Sequence, residues 1–371
     1  GIVLFWACTN RSAEQQHPTA QSTGTVALSD PEAASIARAL FSNLQDLSGN
    51  HVLLGHQDAL AYGIGWKGDK FRTDIHDVSG DHPALFGWDL GYVDQADNID
   101  GVPFRDMANW AIAAYSKGGI NTYSWHMWNY ASGGDSWDTA SCVKACLPGG
   151  SAHATYLEKL DLVAAFFSGL KNESGELIPV VFRPFHEMNG DWFWWRRASC
   201  KPEDYKALFR FTVDYLRKEK QLHQLIIAYS TDLFISPGEY MTWYPGDAYV
   251  DVMGFDDYKG LNNRSETHKT VFMLETLDSI SSAHGKLMAI TETGLETIPD
   301  PAWFTDVVLS TLKTNNSTRK ASWILFWRNG RTDHFYAPYP GHSSAPDFIE
   351  FMDDSLMLSL TELPELYKIT T

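Results

Sequence analysis

The feature that most restricts this chain is a beat of eight short apolar runs, several of them followed by a longer amphipathic stretch. The runs cover 52–56, 84–88, 120–125, 178–183, 225–229, 250–255, 287–291 and 322–327. Helical spacing of apolar residues appears over 104–117, 156–170, 202–218, 269–284 and 301–313. The stretch at 202 is the clearest: Pro202, Glu203 and Asp204 suit a first turn, and Arg217 and Lys218 suit the negative end of the helix dipole. Nearly continuous apolar strands that alternate with helices imply a parallel sheet covered on its outer face, and eight such units close most naturally into a single (β/α)8 TIM barrel. An open doubly wound sheet is the competing architecture. It would place a glycine-rich phosphate turn after an early strand, and neither G-x-G-x-x-G nor G-x-x-x-x-G-K-[ST] occurs. No linker, repeat or low-complexity block interrupts 29–371, so these residues read as one catalytic barrel, preceded over 1–28 by a leader remnant and a flexible linker.

Charge narrows the partners. With 46 acidic against 29 basic residues the net charge is −17, which repels phosphate backbones and anionic lipid, so nucleic acid and membrane surfaces are excluded as the main partner. A neutral ligand fits better. Aromatic residues make up 13% of the chain, with 14 Trp and 16 Tyr, a composition suited to a cleft that stacks the flat faces of sugars.

The predicted strands run directly into polar and aromatic clusters, such as His56-Gln57-Asp58, His126-Met127-Trp128-Asn129, His186-Glu187-Met188-Asn189, Asp256-Asp257-Tyr258, Glu292-Thr293-Gly294 and Trp327-Arg328-Asn329. In such a barrel the loops at the C-terminal strand ends build the active face. Two carboxylates stand out there, Glu187 after the fourth run and Glu292 after the seventh. A pair at the rim of an apolar core can have its pKa values driven apart, leaving one acid protonated to donate to a leaving oxygen and one ionised to attack or to activate water. The competing structural role is a buried ion pair with an arginine such as Arg183. Trp192, Phe193, Trp194 and Trp195 follow an Asn-Gly-Asp turn, and the expectation is that some line a cleft while the others pack inward. Metal chemistry is not expected: His186-Glu187 lacks the second histidine of a zinc protease, Gly190 standing in its place, and no serine nucleophile elbow occurs.

The pieces GHQD at 55–58, DVSGDHPALFGWD at 77–89, SWHMWN at 124–129, LPGG at 147–150, RPFHEMNGDWFWW at 183–195, GFDDY at 254–258, ITETG at 290–294 and FWRNG at 326–330 together resemble glycoside hydrolase family 26, whose best-known members are endo-β-1,4-mannanases. The resemblance runs from about 53 to about 350. It implies a retaining double displacement without metal or cofactor, with Glu187 as general acid/base and Glu292 as nucleophile, and carboxyl groups about 5–5.5 Å apart. His186 and Tyr258 match residues that orient the nucleophile or sit beside it. Trp327 matches the ring under the distorted sugar, and His126, Trp192 and Arg328 match substrate contacts on either side of the cleavage point. The implied partner is a β-mannan or a manno-oligosaccharide bound by a monomer. The same resemblance leaves open a β-1,3-xylan or mixed-linkage glucan as substrate, or a carbohydrate-binding barrel without turnover. The segment 129–153 departs from the family pattern and sets whether the cleft is open for internal attack.

Four cysteines are too few for a disulfide scaffold. Residues four apart on a regular helix meet poorly, so any bridge is expected to join Cys200 to Cys142 or Cys146, with free thiols the alternative. The apolar run over 1–8 ending in Ala7-Cys8 reads as the tail of an export signal with Cys8 as lipid acceptor, placing the protein outside the cytoplasm as a secreted, periplasmic or lipid-anchored chain.

Overall fold

The computed structural model describes residues 27–368. The Cys8 and leader expectations lie outside the described residues, except for the last two positions of 1–28. Eight parallel strands form the barrel: β1 (Val52–Gln57), β2 (Leu85–Asp89), β3 (Ile120–Ser124), β4 (Val180–Arg183), β5 (Leu225–Thr231), β6 (Val252–Asp257), β7 (Leu287–Thr293) and β8 (Trp323–Phe326). Each pairs with the next, and β8 returns to β1 with Leu53 opposite Trp323 and His56 opposite Phe326, so the eight strands close on themselves, with the short strand Met357–Leu358 added beside the start of β1. The fold is the single (β/α)8 TIM barrel expected from the beat of apolar runs.

Period-two alternation sorts the strand residues into two cores. Leu53, Leu85, Val181, Ile226, Val252, Leu287 and Leu325 fill the barrel interior, which the helix Ser35–Leu47 closes from below through Ala37, Leu40, Phe41 and Leu44. The intervening residues, among them Leu54, Phe86, Phe182, Ile227, Phe255, Ile290 and Phe326, pack outward against the helices. That bottom helix carries none of the eight-strand rhythm. Sequence reading passed over it, along with Asp74–Ser79, Pro237–Thr242 and Ala345–Asp353.

The helix predicted over 202–218 divides. An α-helix runs over Pro202–Asp214, and its continuation Tyr215–Glu219 opens into a wider π-type turn. That turn carries Arg217 into the barrel floor, where its guanidinium donates to Asp251 at 3.0 Å, to the Ser29 hydroxyl at 2.9 Å and to the Leu225 carbonyl at 3.2 Å. Arg217 is therefore a core residue rather than an exposed partner of the helix dipole.

The three cysteines among the described residues are free thiols, the alternative left open above, but the expected partners of a bridge are corrected. Cys142 and Cys146 lie together, Sγ to Sγ 3.4 Å, whereas Cys200 sits against the carbonyls of Trp195 and Arg196. The helix Val143–Cys146 is a single turn, and Cys142 precedes it with φ −128°, outside helical geometry. The regular-helix spacing that argued against this pair does not apply.

Candidate active site

Two backbone irregularities aim the acidic side chains. Along β6 and β7 the pairing runs Phe255 opposite Ile290 and then Asp256 opposite Glu292, so Thr291 is an extra residue on β7. Simple alternation from Leu287 and Ala289 would turn Thr291 inward and Glu292 outward. The bulge instead brings Glu292 level with Asp256 at the barrel mouth, while the Thr291 hydroxyl still donates to Asp256 at 2.7 Å. Gly254 leaves room for this, because a Cβ there would strike the Thr291 side chain.

After β4 the chain adopts left-handed backbone at Phe185 (φ 54°) and Glu187 (φ 55°), a conformation that costs on the order of 1–3 kcal/mol at a residue with a side chain. Buried aromatic groups hold it. The Tyr205 hydroxyl donates to the Phe185 carbonyl at 2.9 Å, Trp195 Nε1 donates to the His186 carbonyl at 2.7 Å, and the Glu187 N–H donates to the Ser230 carbonyl at 3.0 Å. Of the four consecutive rings, Trp194 and Trp195 are thus core, and Trp192 and Phe193 line the cleft.

That cleft has a volume of about 560 Å³ and is walled by His126, His186, Trp192, Tyr258 and Trp327 around Glu187 and Glu292. Glu187, Asp256 and Glu292 each bring a carboxylate oxygen within 4.8 Å of the other two, all three buried. Among the described residues this is the one group of three or more His, Cys, Asp or Glu that converges closely enough for a cation. Its geometry does not call for one, because Arg183 already sits inside the cluster, donating at 2.7 Å to Asp256, at 2.6 Å to Glu292 and at 3.1 Å to Ser230.

Glu292 accepts a second hydrogen bond from the Tyr258 hydroxyl at 2.7 Å. Burial and the Glu292 charge push the Tyr258 phenol well above its usual range, so it keeps the proton it donates. Glu187 accepts from Trp192 Nε1 at 2.6 Å. Burial, then the charges of Asp256 and Glu292, push Glu187 well above the usual carboxylate range. Asp256 is pushed up to about 7, burial outweighing the pull of Arg183. One arginine therefore serves three close acids, and the surplus is relieved by retaining a proton. The arrangement can donate a proton from Glu187 and present the Glu292 carboxylate across the same gap.

The predicted residues mostly converge. His126 lies in the cleft with its Nδ1 2.7 Å from Asp89; burial works against its charged form, but Asp89 outweighs it and the ring is pushed up. His186 packs edge-on to His126 at 4.7 Å, and burial with the nearby Arg183 drives it well below its usual pKa. It lies in the cleft wall, but the donors to Glu292 are Arg183 and Tyr258. Arg328 is displaced from the cleft into an adjoining depression of about 520 Å³, paired with Asp100 at 3.0 Å and 3.3 Å from the Tyr62 hydroxyl. Sequence reasoning missed Asp256 as the third acid, although it stood in the same strand-end cluster as Tyr258. It missed Trp137 too, which lies in the same loop after β3 as His126 and stacks on it with ring centroids 5.5 Å apart.

Comparison with known proteins decides the family: the model of glycosyl hydrolase family 26 matches residues 29–320. The chain belongs to glycosyl hydrolase family 26. A mannan endo-1,4-beta-mannosidase of Bifidobacterium adolescentis is 31% identical over 95% of this chain and 37% of its own length. One from Bacillus subtilis strain 168 is 28% identical over 74% of this chain and 75% of its own. The chain spans 37% and 53% of the first two curated relatives it matches. Among solved members of the family, a beta-mannanase from Bacteroides ovatus superposes with TM-score 0.86 at 40% identity, covering 90% of this chain and 98% of that one. A modular endo-beta-1,4-mannanase from Cellulomonas fimi gives 0.87 at 32% identity, covering 94% and 80%.

Proposed function

We propose that the chain is a retaining endo-hydrolase of β-1,4-linked mannan, glucomannan or galactomannan. The single observation that carries this reading is the pair Glu187 and Glu292 facing one gap with unequal partners, the first crowded by acids and the second held by a guanidinium and a phenol. Glu187 donates its proton to the departing glycosidic oxygen as Glu292 attacks the anomeric carbon, and water, deprotonated by Glu187, then opens the glycosyl ester. A carboxyl spacing this short suits direct attack and leaves no room for an intervening water on the opposite face. Arg183 and Tyr258 orient Glu292, and the Tyr258 bond must shift as the ester forms. Trp192 fixes Glu187, Trp327 lies under the sugar, His126 contacts it beside the cleavage point, His186 shapes the wall, and Arg328 reaches the chain farther along.

The names of the relatives support mannan as substrate. Cleft and acids come from one chain, so a monomer suffices, and export with a lipid on Cys8 would bring the enzyme to a polymer too large to enter a cell. The test is reducing-end release from linear β-1,4-mannan, β-1,3-xylan and mixed-linkage glucan. Mannan is expected to be cleaved fastest, with a mixture of internal products. Preference for either other glycan would overturn the substrate, and binding without release would leave a carbohydrate-binding barrel.

A further inference from the structure

Outside the acid cluster, the most unusual pairing of reactive side chains is Cys142 with Cys146. Their sulfurs lie 3.4 Å apart and both side chains are fully buried, whereas Cys200, on a loop that Ser199 and Ser141 tie to this one, turns its thiol to the carbonyls of Trp195 and Arg196. We propose that Cys142 and Cys146 form a disulfide site that stiffens the loop 129–153 beside the cleft. Bond formation brings the sulfurs from 3.4 Å to about 2.05 Å, a movement two side chains can share without displacing the backbone turn.

The surroundings favour the reaction. The backbone N–H groups of Tyr130 and Ala131 approach the Cys142 sulfur, and the hydrogen bond from Cys146, followed by these, pushes the Cys142 thiol down despite its burial. As the loop closes around these donors, Cys142 becomes the better thiolate of the two. With an organic disulfide such as oxidised glutathione as oxidant, the Cys142 thiolate attacks one of its sulfurs and expels a thiolate, giving a mixed disulfide. The Cys146 thiolate then attacks Cys142 Sγ and expels the second thiolate. Two protein thiols are oxidised, one external disulfide is reduced to two thiols, and the two protons end on the products. Burial in the folded loop means that this exchange happens as the loop closes.

The loop has a task at the cleft. Asn129 closes its first half, its side-chain N–H groups donating to the carbonyls of Asp138 at 3.0 Å and Ala140 at 2.8 Å, and Ser136 donates to Met127 at 2.8 Å. Between them Trp137 is 47% exposed and stacks on His126. A covalent tie at 142–146 holds this ring where a sugar chain would meet it, and this consequence rests on the proposed function above. The tie itself does not.

The full chain is refolded from denaturant in the presence of oxidised glutathione, so that the loop closes while the oxidant is at hand, then denatured and alkylated without reductant, and digested with trypsin. Because Lys144 lies between the two cysteines, a bridge appears as two peptides that separate only on reduction. That linked pair is the expected result. Alkylation of both Cys142 and Cys146, or a bridge to Cys200, would overturn the site whether or not the protein cleaves mannan. Cys146→Ser and the reduced wild type should both show a several-fold higher KM for mannan with kcat unchanged. An unchanged KM in both would remove the loop-stiffening role.

Discussion

The barrel holds two buried arginine clusters, one at each end, and they differ in charge balance more than in burial. At the floor, Arg217 meets Asp251 at 3.0 Å and Asp30 at 3.7 Å, and the acids are occupied by other donors. Asp251 also accepts the backbone N–H groups of Ser29 at 2.6 Å and Ile227 at 2.8 Å, and His223 lies 2.9 Å from Asp30. At the mouth, Arg183 serves Asp256 and Glu292 while Glu187 crowds the same space with one indole N–H for company. At the floor each acid has several donors, and the cluster ties Ser29 and Asp30 to β5 and β6. The mouth is left short of positive charge, so a proton is retained there at a pH where carboxyls ordinarily release it. A buried ion pair is thus no mark of catalysis, but an unbalanced one at the C-terminal end of the strands is.

The comparison is broken most severely by removing the acids. Glu187→Ala and Glu292→Ala are each expected to lower kcat by ~10³ or more, with thermal unfolding little changed, because neither is needed to close the barrel. Near-normal turnover by either variant would return that residue to a structural role. The two arginines separate stability from chemistry. Arg183→Met and Arg217→Met each strand buried carboxylates and should each cost about 3–5 kcal/mol in denaturant titrations. Only the Arg183 variant should also lose activity, by about 100-fold below its melting temperature, since it alone touches the nucleophile. Equal activity losses would erase the distinction between the two ends.

Tyr258→Phe removes one donor to Glu292 and should lower kcat by about 10- to 100-fold with KM nearly constant, as expected for a hydrogen bond to a charged group. The smallest effect is on pH. Asp256 rises from 3.8 to about 7, so the native chain binds a proton that the unfolded chain has released, and stability from this group is lost as pH rises from about 4 to 7. Asp256→Asn should flatten that part of the melting-temperature profile. It should also move the alkaline limb of kcat/KM to lower pH by on the order of one unit, because a like charge beside Glu187 is gone.

Much of this was legible in the chain because strand-length apolar runs have few other uses. The eight runs and the strand-end positions of Glu187 and Glu292 follow from them. The bulge at Thr291 was not legible: alternation is a regular rule, and the extra residue that breaks it in ITETG has no composition signal. Arg217 looked like a helix-end cation until the π-type turn rotated it inward. The reading of Glu187 and Glu292 against a pairing with Arg183 posed a false choice, since Arg183 binds Glu292 and the ion pair is part of the site. Cys142 escaped the regular-helix argument because one residue's φ lies outside the helical range, which spacing cannot reveal.

The most direct test of the account is to trap the covalent intermediate. A 2-deoxy-2-fluoro manno-oligosaccharide with an activated leaving group should inactivate the enzyme and leave its label on the peptide that contains Glu292. A label on Glu187 or Asp256, or steady turnover of this reagent to the inverted product, would contradict the division of labour between the two acids.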